Sequence, residues 1–553
     1  MRLPSPILPG TLATISMLLS GSLLLSGSVP PSGPAAAGTA PDGDAVVATA
    51  DGPVRGTVTA DHRMFQGVPY AAPPIGELRL RSPEPTEPWT GVRDATRPGP
   101  ICTQSYSYPP GSPPVVAGAE DCLYLNVHVP RGVAGPMPVL VFLHGGNSGA
   151  GSRYDPRPVT GAGGVVVVTV NYRLGALGFL RHGSLDDPYA GNFALADQQA
   201  ALRWVRTNIG AFGGDPRNVT LWGESYGGFG VCAQLASPAA RGLFDRAIVQ
   251  SAPCGNDLVT RAEADRRGDR AVGALGCADA ADVAACLRQV PAERVATLPN
   301  TPTHQREIAA SMPWFYTVGT PPLPRQPLDA ARTGRVHAVP LIHGGTRDEM
   351  RGVVATLLDI AETPLTGQRY RRVVHDLYGR EAGRILARYP EHRYATPSLA
   401  LATLQTDEGR MVGTCAQLSY SEAHRRLAPV YAYEFAEDSG RSVGDLPLGA
   451  SHGDDIPYFF DSFPQPQSVP QSAAQPRSTS GTESRPAPGP AGREELATAL
   501  VERWTGFART GRPASDWPPY RAGTALSLSG GRITPVDVDR AHRCGFWHTV
   551  PAR

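Results

Sequence analysis

Lysine is missing from this chain altogether: all 51 of its basic residues are arginine. That excludes chemistry needing a lysine side chain, such as a P-loop phosphate grip, a Schiff base or a Ser-Lys dyad. Charge of either sign is sparse, at 18% of residues against a usual ~25%. The 51 basic and 50 acidic residues nearly cancel, leaving +1, so no broad attraction to nucleic acid is expected. Long hydrophobic runs are also lacking. No segment past the first forty residues reaches the ~18 uninterrupted apolar residues of a membrane span, so no stable membrane anchor is expected. Glycine and proline, by contrast, are abundant at 62 and 56 residues, which implies many loops. Apolar residues make up 41% of the 553. That is enough for a large core, and too much for a mostly disordered chain.

The N-terminus reads as an address. Arg2 supplies a positive start, a Leu/Ser/Gly-rich apolar stretch is centred on Met17 to Leu25, and small residues run from Ala35 to Ala40. This is the pattern of a secretory signal peptide and leader over residues 1–40. Export, with a secreted product, would permit disulfides among the eight cysteines. Residues 41–553 read as a single domain. Within it, 464–492 is rich in Pro, Ser, Gln and Gly and is expected to be a long disordered loop.

Elsewhere apolar β-branched runs alternate with helical patterns. Val139–Leu143, Val165–Tyr172, Val219–Trp222, Arg246–Val249, Val339–Ile342 and Pro429–Phe435 read as buried strands. Residues 194–209 read as a helix with Leu202, Val205 and Ile209 on one face. Residues 494–507 read as another, with Leu496, Leu500, Trp504 and Phe507 together. This alternation predicts an α/β fold.

Gly223-Glu224-Ser225-Tyr226-Gly227 is a G-x-S-x-G. A chain this rich in glycine produces such a motif by chance, and Gly440–Gly444, around Ser442, also matches. Context separates the two. Ser225 stands between a strand and a helical run, as a nucleophile at a sharp strand–helix turn must. Ser442 lies in a polar stretch with no strand before it. A serine attacking a carbonyl also needs donors for the developing oxyanion. His144-Gly145-Gly146-Asn147 follows a strand, and its glycines let backbone N–H groups crowd the site. Gly146, Asn147 and Tyr226 are therefore the expected oxyanion donors.

Taken with Phe65–Tyr70, Glu120–Val127, Asn171–Gly175 and Asn208–Pro216, these motifs make the chain resemble the type-B carboxylesterases. That family includes para-nitrobenzyl esterases, animal carboxylesterases and cholinesterases. The resemblance covers about 90% of the mature chain. It implies an α/β-hydrolase fold, with a large, mostly parallel central sheet and helices on both faces. It also implies a Ser-Glu-His triad of Ser225, Glu349 and His452, with no cofactor and no metal. Asp348 is the alternative acid, and His343 a poorer base. The family usually carries Gly where this chain has Met350, and Ala where it has Tyr226. The Tyr226 ring either reshapes the acyl pocket or packs inward. The family further implies disulfides Cys102–Cys122, Cys277–Cys286 and Cys415–Cys544, and an Arg79–Glu120 ion pair that is structural. Cys232 and Cys254 are either a fourth bridge or buried thiols. The Cys102–Cys122 loop holds no Trp, so the cation–π capture of choline in cholinesterases is not expected.

The expected activity is hydrolysis of a small-molecule carboxylic ester by a secreted serine esterase, through an acyl-enzyme. An acyltransferase or cyclising enzyme on a natural product would use the same triad. A catalytically silent recognition protein is the third alternative, although silent members usually lack a triad residue.

Overall fold

A computed structural model of the chain describes residues 45–106, 112–146, 149–298, 313–360, 364–462, 490–530 and 532–551. The expected leader, Asn147, and most of the expected loop 464–492 lie outside the described residues.

Eleven strands form the central sheet. In chain order they are β1 (Thr57–Val58), β2 (His62–Pro69), β3 (Tyr124–Pro130), β4 (Met137–Leu143), β5 (Val166–Val170) and β6 (Gly214–Glu224). They continue with β7 (Arg246–Gln250), β8 (Leu341–Thr346), β9 (Val430–Phe435), β10 (Thr524–Ser529) and β11 (Arg532–Asp537). Their spatial order is β11-β10-β9-β8-β7-β6-β4-β5-β3-β2-β1. The strands from β10 through β5 pair in parallel. Antiparallel partners close both edges: β11 on one side, and β3, β2 and β1 on the other. Parallel strands need crossovers, which cover both faces and make the strands apolar throughout. All seven residues of β4, MPVLVFL, are buried.

The period of two sorts those residues between two cores. Val139, Val141 and Leu143 face one cluster. Leu140 and Phe142 face the other, with Trp222, Ile248 and Ile342 of neighbouring strands. The helix α2 (Phe193–Asn208) buries Leu202 and Val205 in the first cluster. The helix α7 (Pro490–Thr510) covers the opposite face with Leu496, Leu500, Trp504 and Phe507. This helix starts at Pro490, so the expected loop cannot extend to 492. Proline suits a first turn, where its missing N–H is not needed.

All eight cysteines are paired. Cys102–Cys122, Cys277–Cys286 and Cys415–Cys544 are joined by a fourth bridge, Cys232–Cys254. Arg79 grips Glu120 through two parallel hydrogen bonds of 2.6 and 2.5 Å. No helix among the described residues is long and apolar enough to cross a membrane.

Candidate active site

The site gathers at the carboxyl ends of β4, β6, β8 and β9, where open α/β sheets leave a crevice. Strand β6 ends at Glu224, and the helix α3 (Tyr226–Ala236) begins at Tyr226. Ser225 alone makes the turn, at φ 54° and ψ −121°. A non-glycine residue in that region is strained and persists only where its surroundings force it. The forcing contacts are visible. A Cβ on Gly223 would fall 2.4 Å from the Gly227 carbonyl oxygen, and one on Gly227 would fall 2.0 Å from that of Leu143. The two glycines let the turn close on itself and against the end of β4. The Ser225 N–H donates to the Gln250 carbonyl of β7 at 2.9 Å.

Three side chains from distant segments meet here. The Ser225 hydroxyl lies 2.8 Å from His452 Nε2. His452 Nδ1 lies 2.6 Å from a carboxylate oxygen of Glu349. With Nδ1–H donating to the carboxylate, Nε2 is left to accept from the serine. Glu349 is fully buried, and its other oxygen accepts from the Thr346 N–H at 2.8 Å. Asp348 points elsewhere, to Arg347, Arg351 and the Ala450 N–H. Met350 opens a short helix, α4 (Met350–Val354), and is buried. Its backbone is helical, so the position makes no demand for glycine. His343 is occupied: its Nε2 donates to the Ala252 carbonyl and its Nδ1 accepts from Ser421. Burial holds its pKa down to about 4. Ser442 sits in a two-residue hairpin strand, paired with Leu446–Pro447.

On the other side of Ser225, β4 runs into His144-Gly145-Gly146. Gly146 is left-handed at φ 76°. A Cβ on Gly145 would fall 2.9 Å from that of Ser225 and 2.3 Å from a Glu224 carboxylate oxygen. The His144 ring stacks on Tyr172, whose hydroxyl donates to the His144 carbonyl at 2.5 Å. The turn is thus held from above and below. The Tyr226 N–H opens α3, where helix N–H groups lack intrahelical partners and favour negative charge.

Two acids missed in the sequence belong to this site. Glu224, 5% exposed, lies beneath the Gly145 turn with an oxygen 3.5 Å from His452 Nε2. Burial raises its carboxyl well above the usual range. Asp455 accepts from Gln250 at 2.7 Å and is likewise raised by burial. Burial alone would lower the His452 pKa, but Glu349, Glu224 and Asp455 outweigh it and raise the imidazole above its ordinary value. The only hint of Glu224 in the sequence was its place beside the serine, and a G-x-S-x-G leaves that position unspecified.

The carboxylesterase family model matches residues 43–547. The chain belongs to the carboxylesterase family. Its activity class is carboxylic ester hydrolysis. This carboxylesterase is 36% identical to the Crystal protein of Dictyostelium discoideum, over 76% of this chain and 77% of that one. It is 32% identical to the para-nitrobenzyl esterase of Bacillus subtilis (strain 168), over 87% and 94%. A solved structure of a PNB esterase superposes with a TM-score of 0.72 at 30% identity, covering 91% of this carboxylesterase and all of that chain. The α/β-hydrolase fold of such esterases is the fold described above. The Tyr226 ring does not enter the site as a free wall: it is fully buried behind it.

Proposed function

We propose that the chain is a secreted serine carboxylesterase in which Ser225 is the nucleophile, His452 the base and Glu349 the orienting acid. The observation that carries this reading is the unbroken chain from a strained serine through imidazole to a buried carboxylate, with contacts of 2.8 and 2.6 Å. Ser225 Oγ attacks the ester carbonyl carbon while its proton passes to His452 Nε2. The carbonyl oxygen becomes an oxyanion and takes hydrogen bonds from the Gly146 and Tyr226 N–H groups. Each such donor is worth about 3 kcal/mol in the transition state. The Glu349 carboxylate stabilises the imidazolium and keeps Nε2 facing the serine. Collapse of the tetrahedral intermediate breaks the bond to the alkoxide, which takes the proton from His452. Water then attacks the acyl-enzyme by the same route, releasing the acid and free Ser225.

Four disulfides support an oxidising destination for the chain, in keeping with the signal pattern of its first forty residues. Similarity to the para-nitrobenzyl esterase of Bacillus subtilis supports a p-nitrobenzyl or similar aryl ester as a probe. The test is Ser225→Ala assayed on p-nitrophenyl acetate beside a melting curve. The expected result is a loss exceeding ~10⁴-fold with the fold intact. Near-normal turnover in the folded variant would overturn the assignment.

A further inference from the structure

Gln250 ends β7 and is fully buried. Its backbone pairs with Glu224 in the ladder with β6, and its carbonyl accepts the Ser225 N–H at 2.9 Å. The next residue, Ser251, leaves the strand at φ 52° and donates its N–H to the Gly344 carbonyl of β8 at 2.8 Å. The Gln250 backbone is thus fixed from both neighbouring strands, and the Ser225 turn hangs on it.

Its side chain reaches to the loop that carries His452. The Gln250 Nε2 amide donates to Asp455 Oδ2 at 2.7 Å, and its Oε1 accepts from the Trp222 indole N–H. These neighbours dictate the residue type. An indole N–H only donates and an ionised carboxylate only accepts, so the side chain between them must do both. Leucine would leave both partners buried and unpaired, and an ionised glutamate would satisfy Trp222 but repel Asp455.

The His452 loop is tied on both sides of the imidazole. Before it, the Ala450 N–H donates to Asp348 at 3.0 Å and the Gly352 N–H to Ser451 Oγ at 2.9 Å. Those bonds fasten the loop to the turn that carries Glu349. After it, Asp455 is held by Gln250, with the Tyr433 hydroxyl of β9 3.3 Å from the same oxygen. The first tie sets His452 against Glu349. The second sets it against the strand end from which Ser225 is held.

We propose that Gln250 is a positioning residue that acts through Asp455 to hold the His452 loop where Nε2 meets Ser225 Oγ. This rests on the reading of Ser225 as nucleophile and His452 as base. The amide touches neither of those atoms, and its effect falls on proton transfer rather than on substrate binding.

The experiment measures kcat and KM for p-nitrophenyl acetate in wild type, Gln250→Leu and Gln250→Glu, from about pH 6 to pH 9, a range spanning imidazole's ordinary titration. Gln250→Leu lowers kcat on the order of 10- to 100-fold, as a displaced base should, while KM stays near its wild-type value. Gln250→Glu keeps the shape and the acceptor for Trp222. It donates to Asp455 only while the two carboxyls share a proton, which close burial of like charges holds to raised pH. Trp222 and Tyr433 face this pair, and Glu224, Glu349 and His452 act on Asp455 through their charges. All of these are common to wild type and variant, so the ratio of the two kcat values isolates the tether. That ratio is highest at low pH and falls as pH rises and the shared proton leaves, whereas the loss in Gln250→Leu shows no such rescue. A Gln250→Glu ratio that does not fall with pH overturns the proposal, and that profile alone decides if Gln250→Leu does not fold. A folded Gln250→Leu that changes only Tm or KM overturns it too, by reducing the amide to packing. Ser225→Ala assayed in parallel tests the underlying reading separately. Retained hydrolysis there sinks the nucleophile, whatever the Gln250 variants do.

Discussion

At the scale of single residues, neighbouring acids behave differently because of what they touch. Glu349 reaches His452, whereas Asp348 is neutralised by Arg347 and Arg351. Glu349→Gln should therefore lower kcat on p-nitrophenyl acetate by about 10³-fold or more. Asp348→Asn should cost less than about tenfold at the same fold stability. The opposite ranking would transfer the role to Asp348. Glu224 makes a subtler mark. Its carboxylate raises the His452 pKa, and a base works only when deprotonated, so kcat/KM should climb with pH along a limb above imidazole's ordinary 6.5. Glu224→Gln removes one of the raising charges and should move that limb to lower pH. A limb that stays put or moves upward would show that Glu224 does not act on the imidazole. That Ser225, His452 and Glu349 come together was legible in the sequence, because each sits in a short motif whose residue types the proposed chemistry demands. Glu224 and Asp455 were not: their importance comes from burial beside an imidazole, which only the folded chain creates. The direction of the Tyr226 ring was open for the same reason.

At the scale of elements, the parallel strands were legible because burial on both faces demands an unbroken apolar run, as in MPVLVFL. The antiparallel strands were not. Strand β3, YLNVHVP, carries Asn126 and His128 inside, and β11, RITPVD, contains a proline that only an edge strand tolerates. Strand β6 runs back to Gly214 through a register shift before Val219, past a proline that sequence reading takes as a stop. The start of α7 at Pro490 is not legible in the sequence because its first residues share the composition of the stretch before them. The turn at Ser225 is the element most sensitive to change. Gly227→Ala would push a methyl against the Leu143 carbonyl, a backbone atom that cannot swing away. Overpacking of this kind costs about 1–3 kcal/mol, and a displacement near 1 Å at the serine costs about 10²-fold in rate. Gly273→Ala is the contrast. It sits in the helix Arg261–Leu275 with nothing near its missing Cβ, and should raise stability by about 0.5–1 kcal/mol. Equal effects of the two substitutions on Tm and kcat would refute the steric account.

At the scale of the whole molecule, the C-terminal segment is fastened to the core twice over. Cys544 is bridged to Cys415 across 129 residues of chain. Two residues earlier, His542 lies between two buried acids, 2.8 Å from Asp407 and 2.7 Å from Glu434. Burial alone would lower its pKa, but these hydrogen bonds win and push it up to about 10. A group whose folded pKa is raised stabilises fully below its unfolded value, near 6.5, and loses that contribution as pH rises through the folded one. Melting temperature should therefore fall between pH 7 and pH 10. His542→Gln should be less stable at pH 7 by on the order of a few kcal/mol and melt lower accordingly, and the gap to wild type should close as pH approaches 10. A gap that stays constant would remove the imidazolium from the account. The joint between β4 and β6 has a wider consequence. Where the Leu143 carbonyl bears on Gly227, the turn proposed to hold the oxyanion and the proposed nucleophile are braced against each other like parts of one girder. Such a device does not wear out piecemeal. On heating, hydrolysis of a short ester should persist undiminished until the sheet itself gives way, and the thermogram and the inactivation curve should share one midpoint.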